Sequence, residues 1–174
     1  MNVETLLRQY AQGDRDFSSA ELAFAELTRA NLSGINLIRA NLSQARLNQA
    51  NLSGAFLVLA NLQAANLRGA MAIAVNFSGA NLQAANLSYS KLAEAILTGT
   101  QLQKANLTNA NLQGAILAGA NLSWANLQNA DLTGANLYGA DLRSADLTGA
   151  NLAHTNLRGA NLQDTILPEQ LITA

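Results

Sequence analysis

One histidine, His154, and three of the eleven acids, Asp131, Asp141 and Asp146, are among the residues whose types suit proton transfer. Such chemistry needs groups held close together with perturbed acidity. A single histidine excludes any His pair, and its place at a corner of the repeat argues against a His-based triad. A carboxylate pair for acid–base work is conceivable among the three acids, but no concave pocket is implied to hold a substrate between them. They read as a solvated face, and His154 as an ordinary solvated side chain. The chain has no cysteine, so it can form neither a disulfide nor a thiolate metal site. Its glycines recur at a fixed interval and never form a phosphate-cradling loop after a strand. Seven Asn-x-Ser/Thr sequons from Asn31 to Asn121 follow from the same interval and carry meaning only in a secreted protein. No catalytic residue, metal ligand or cofactor is expected.

Composition narrows the partners. The formal charge is −1 and 12% of the 174 residues are charged, which argues against both a basic nucleic-acid surface and an acidic tail. No stretch approaches eighteen continuous apolar residues, so no membrane-spanning helix is expected. The segment Met1 to Tyr10 carries Glu4 and Arg8 and lacks the apolar run of a signal peptide. A soluble cytoplasmic protein is the expectation.

Periodicity dominates everything else. Of the 31 positions taken every fifth residue from Phe17 to Leu167, 28 are Leu, two are Phe (Phe17 and Phe77) and one is Ala72. Two residues earlier, 24 of 31 positions are Ala, and two residues later lie 11 of the 12 glycines. On an α-helix, a period of five steps the leucines about 140° round the axis and leaves no stripe. On a straight strand, an odd period sends alternate leucines to opposite faces. The pattern works if the chain turns a corner every five residues. Ala and Leu, two apart, then point inward, while the Asn or Asp between them and the residue after Leu point outward. Glycine falls at the corner, where it tolerates angles other residues avoid. Because Arg39, Gln49, Leu59 and Trp124 hold other corners, a positive φ at every corner is not expected.

Units such as Ala30-Asn31-Leu32-Ser33-Gly34 and Ala130-Asp131-Leu132-Thr133-Gly134 resemble the A(D/N)LxG consensus of pentapeptide-repeat proteins. The resemblance covers residues 15–167. It implies an all-β fold, a right-handed quadrilateral parallel β-helix with four repeats, or twenty residues, per coil. Thirty-one repeats then make nearly eight coils, a rod roughly 35–40 Å long at about 4.8 Å per coil. The expected organisation is a helical cap over 1–14, the β-helix over 15–167 and a short lid over 168–174. Within the cap, residues 3–11 read as a helix, with Asn2 as N-cap, Leu6, Leu7 and Tyr10 as apolar face, and Gly13 ending it. Leu171 and Ile172 are the expected lid residues. Departures from the consensus cluster at Met71 to Val75 and at Ser90 to Gln101, the second reading as a seam between two older arrays. Ala72 leaves the core short of an isobutyl group, which Val75 and Phe77 in the next repeat are expected to fill.

Nine outward positions beside Leu carry large apolar residues, and twenty residues per coil would place six of them on one face: Ile38, Phe56, Val58, Ile96, Ile116 and Tyr138. Contiguous exposed apolar area marks an interaction site; the competing account is favourable stacking along a strand ladder. The expectation is a non-enzymatic structural or protein-binding solenoid with an unidentified protein partner. Self-association through the apolar face or the C-terminal coil is included; direct nucleic-acid binding and membrane insertion are not. The resemblance also brings an alternative, since some family members mimic DNA and bind DNA gyrase. DNA carries one charge per ~1.7 Å, so a rod of this length would need about twenty. A net charge of −1 and a mostly neutral Asn before Leu disfavour that role. The family is abundant in cyanobacteria, and most members have no assigned activity, which the resemblance implies for this chain too.

Overall fold

A computed structural model describes residues 1–169. The expected lid residues Leu171 and Ile172 lie outside them. The chain path follows from where five N–H groups per repeat find acceptors, as Asn36 to Ala40 shows. The Asn36 N–H donates to Arg15 O of the coil before at 2.7 Å. The N–H groups of Leu37 and Arg39 donate to Phe56 O and Val58 O of the coil after, at 2.8 and 2.9 Å. The Ala40 N–H turns back to Leu37 O at 3.0 Å and closes a β-turn at the corner. That leaves the Ile38 N–H, which donates to Asn36 Oδ1 at 3.0 Å. Asn or Asp stands before Leu because its side chain is the acceptor that completes the set.

Parallel bridges join each of these Asn/Asp positions to the one twenty residues later, from Asp16–Asn36 to Asp146–Ile166 without a break. The coil therefore has four faces. Face 1 begins with Asp16, face 2 with Glu21, face 3 with Glu26 and face 4 with Asn31. The ladder crosses the Ser90 to Gln101 stretch with no offset. There Ser90 and Thr100 replace Ala in the interior, and their hydroxyls donate to Leu87 O at 2.6 Å and Phe77 O at 2.9 Å. Neither buried hydroxyl is left unpaired, so the core accepts them.

The corners overturn one expectation. Every corner residue from Ser19 to Asp164, glycine or not, has φ between 52° and 70°. With the Ala-to-Leu hydrogen bond, and no positive φ at the residue before, this is the type II pattern. Leu59 and Trp124 adopt it although a side chain there costs about 1–2 kcal/mol. Ladder bonds and core packing on both sides of each turn hold it in place. The steric limit shows in what is missing: no corner from Ser19 to Asp164 is Val, Ile, Thr or Pro. A branched Cβ crowds the left-handed backbone too far.

Inward residues from Leu32 to Ala150 form one continuous core and are at most 2% exposed. In the last coil Leu152, Leu157 and Leu162 are half-buried. Ala72 takes its place in the column between Leu52 and Leu92 and is fully enclosed, as are Val75 and Phe77. The Val75-to-Ala72 turn bond is stretched to 3.4 Å, against 2.9–3.2 Å at the other corners. Extra carbon at Val75 and Phe77 crowding toward Ala72 would open the turn in this way. Ala72→Leu should then overpack the site and cost roughly 1–3 kcal/mol. A thermal melt clearly above wild type would show empty space there and refute the compensation.

The first coil is covered by α1 (Val3–Ala11). Asn2 Oδ1 caps it by accepting the Thr5 N–H at 2.8 Å. It ends in a Schellman motif, with Gly13 donating to Tyr10 O and Asp14 to Gln9 O, both at 3.1 Å, and Gly13 at φ 105°. The apolar face differs from the expected one. Val3, Leu6 and Tyr10 pack on the core, while Leu7 is exposed. One residue on from Leu6 is about 100° round the helix, so the two cannot share a narrow seam. The Tyr10 hydroxyl fixes the docking by donating to Ser33 O at 2.8 Å. Among the described residues no helix is long and apolar enough to cross a membrane.

Candidate functional site

The twenty-residue register separates the acids that could have formed a pair. Asp131 lies on face 4, Asp141 on face 2 and Asp146 on face 3. Each accepts hydrogen bonds within its own repeat, and Asp131 and Asp146 accept one more from the coil before. The Arg143 guanidinium, 2.7 Å from Asp141, holds that carboxyl below its ordinary acidity range against the opposing effect of burial. The Thr148 hydroxyl does the same for Asp146, again against burial, with help from the Thr148 N–H and Gln128. Burial pushes Asp131 up, but the Thr133 hydroxyl and N–H together with Gln113 outweigh it and leave the group lowered. Carboxyls held in their charged form suit hydrogen bonding better than proton transfer near neutral pH. His154 is exposed on a corner, and the described residues contain no cluster of three or more His, Cys, Asp or Glu able to hold a metal ion. Two open grooves, of about 370 and 230 Å³, follow the corner between faces 2 and 3 beside Phe24 and Trp124.

Face 1 has a different character. The register places Phe56, Ile96 and Ile116 in its column before Leu, and Ile38, Val58 and Tyr138 in its column after Leu. Phe56, Ile116 and Tyr138 are 49%, 40% and 57% exposed; Ile38, Val58 and Ile96 are half-buried. Sequence reasoning missed Leu59, 53% exposed on the adjoining corner, because corners were read as turn positions alone. Its signal was a leucine out of phase with the leucine column. From Phe56 to Asn156 no outward or corner residue of this face is charged.

The apolar residues of face 1 also carry a cost inside the fold. Asn36, Asn76 and Asn136 on this face each accept the N–H two residues on, at 3.0, 3.0 and 3.1 Å. Where Phe56, Ile96 and Ile116 stand instead, the N–H groups of Val58, Thr98 and Ala118 have no protein acceptor among the described residues. Each lost bond is worth about 0.5–1.5 kcal/mol. Ladder stacking has to recover that loss before it can stabilise anything.

Stacked coils of four faces, four columns of leucine in the core and no enclosed pocket among the described cavities define the class: a β-helical solenoid. The model for pentapeptide repeats matches in 8 copies, over residues 16–54, 60–99, 95–134, 105–143 and 125–164, and the chain belongs to that family. Its solved relatives are right-handed β-helices, which sets the hand of the coil. HetL, a pentapeptide-repeat protein involved in heterocyst differentiation regulation in the cyanobacterium Nostoc sp. strain PCC 7120, is 31% identical. The match covers 97% of this chain and 98% of HetL, with a TM-score of 0.69. A trypsin-treated variant of QnrB1, a plasmid-mediated fluoroquinolone resistance protein, shares the fold at 20% identity, with 91% and 89% coverage and a TM-score of 0.57. Among curated proteins none matches the chain.

Proposed function

We propose that the protein is a non-enzymatic, protein-binding rod, and that face 1 is its docking surface. One observation carries the reading: Phe56, Ile96 and Ile116 replace the Asn that the repeat's own hydrogen bonding calls for, and all three stand on the same face. Residues retained against a local folding cost, exposed and uncharged, fit a surface that is buried in a complex. The involvement of HetL in regulating differentiation supports a regulatory task over a metabolic one.

The test separates docking from ladder packing. In the triple variant Phe56→Asn, Ile96→Asn, Ile116→Asn, each Asn regains the N–H two residues on. Its circular dichroism should match wild type and its melting temperature should be equal or higher. In a pull-down from the source lysate, proteins retained by the wild type should be lost. A lower melting temperature with an unchanged set of retained proteins would return the stripe to a stabilising role.

A further inference from the structure

We infer that face 1 docks a second copy of the same chain, antiparallel, about a two-fold axis between the coils that open at Asn76 and Ile96. The inference rests on the reading of face 1 as a docking surface and names its occupant. Two flat faces related by a two-fold axis across the rod keep each column opposite itself and reverse the order of coils. The first coil then meets the eighth, the second the seventh, the third the sixth and the fourth the fifth.

In that register the face is complementary to itself. Phe56 of one copy lies opposite Ile116 of the other, Ile38 opposite Tyr138 and Val58 opposite Ala118, joining apolar to apolar in both columns, while Ile96 meets Asn76. The corner beside the face matches in size. Its column runs Ser19, Arg39, Leu59 and then Gly79, Gly99, Gly119, Gly139 and Gly159. Reversal sets Leu59 against Gly119 and Arg39 against Gly139, so side chains project where the other copy is bare. The glycines at 99, 119 and 139 are not there for internal room, because a Cβ at any of them would meet nothing within 4 Å. Nor does their positive φ demand them, since 19 non-glycine residues adopt it elsewhere. Charge agrees as well. In the same register Asp16 comes opposite Asn156 and Ser18 opposite Arg158, so no like charges meet.

Eight coils at about 4.8 Å and a face three residues wide give a flat footprint of roughly 400 Å² per copy. That is at the weak end of specific association, so the pair should dissociate in the micromolar range or above. Sedimentation equilibrium over about 10–300 µM should show the 18.2 kDa chain moving toward twice its mass. Gly119→Leu fills the gap that receives Leu59 and should weaken association roughly tenfold or more. Leucine is already accommodated at such a corner in Leu59, so the variant keeps its fold. The exchange Leu59→Gly with Gly119→Leu should restore the pair, since gap and projection have only traded places.

Register is read by disulfide trapping in a chain that has no other cysteine. On oxidation, a mixture of Ile38→Cys and Tyr138→Cys proteins should link, while Ile38→Cys mixed with Ser18→Cys should not. A single 18.2 kDa species at every concentration would overturn the inference, as would an exchange variant no tighter than Gly119→Leu. Linking of Ile38→Cys to itself alone would overturn the antiparallel register. A monomer whose triple Asn variant still loses proteins in the pull-down would leave the docking surface intact with a different occupant.

Discussion

Replacing Leu97 by Ala should cost about 2–5 kcal/mol and lower the melting temperature by roughly 4–20 °C. Leu97 is 1% exposed, in the column between Phe77 and Leu117. Coils above and below are pinned by ladder bonds, so the cavity can relax little. The same change at Leu157, half-buried in the last coil, should cost less than half as much. A solenoid's coils touch only their neighbours, so a gap in the middle weakens two interfaces and a gap at the end weakens one. The Leu97 variant should also melt less cooperatively, as the halves begin to unfold apart. Equal losses at Leu97 and Leu157 in calorimetry would contradict both arguments.

The second large effect concerns the corners. Gly119→Val should cost about 3 kcal/mol, and Gly119→Arg about 1 kcal/mol. Nothing lies within 4 Å of a Cβ at Gly119, so the difference between the two substitutions reflects chiefly the backbone. Arginine at Arg39 shows that an unbranched Cβ is borne at φ 58°. Valine adds a second branch at Cβ beside the turn, and no corner of the array bears one. Gly149→Ala tests the other limit, because its Cβ would run into Asn129 Oδ1 and that side chain would have to swing aside. Equal melting temperatures for the Val and Arg variants would mean that the absence of branched residues has another origin.

The interior was legible in the sequence. A strict period of five with Leu and Ala two apart forces both inward, and Leu32 to Ala150 are buried as that spacing requires. The N-cap at Asn2 and the terminator at Gly13 were equally readable, because capping is local chemistry. The corners were not. Arg39, Leu59 and Trp124 disfavour positive φ taken singly, and the sequence carries no record of the ladder bonds on both sides that impose it. Leu7 went astray for a related reason: the period of a short helix does not say which side meets the core.

Function divided the same way. That Phe56, Ile96 and Ile116 break the repeat is plain in the sequence. That the break leaves three N–H groups without an acceptor needed the hydrogen bonds of the folded coil. The amino-acid sequence by itself determined the period, the buried residues and the family, since each is written in neighbours along one dimension. Periodicity alone did not say which outward residues share a face; the family resemblance supplied the twenty-residue coil and the tertiary structure established it, because that stacking is a contact between coils. The glycine column from Gly79 to Gly159 exists only in that stacked direction, where residues twenty apart in the chain lie one hydrogen bond apart in space.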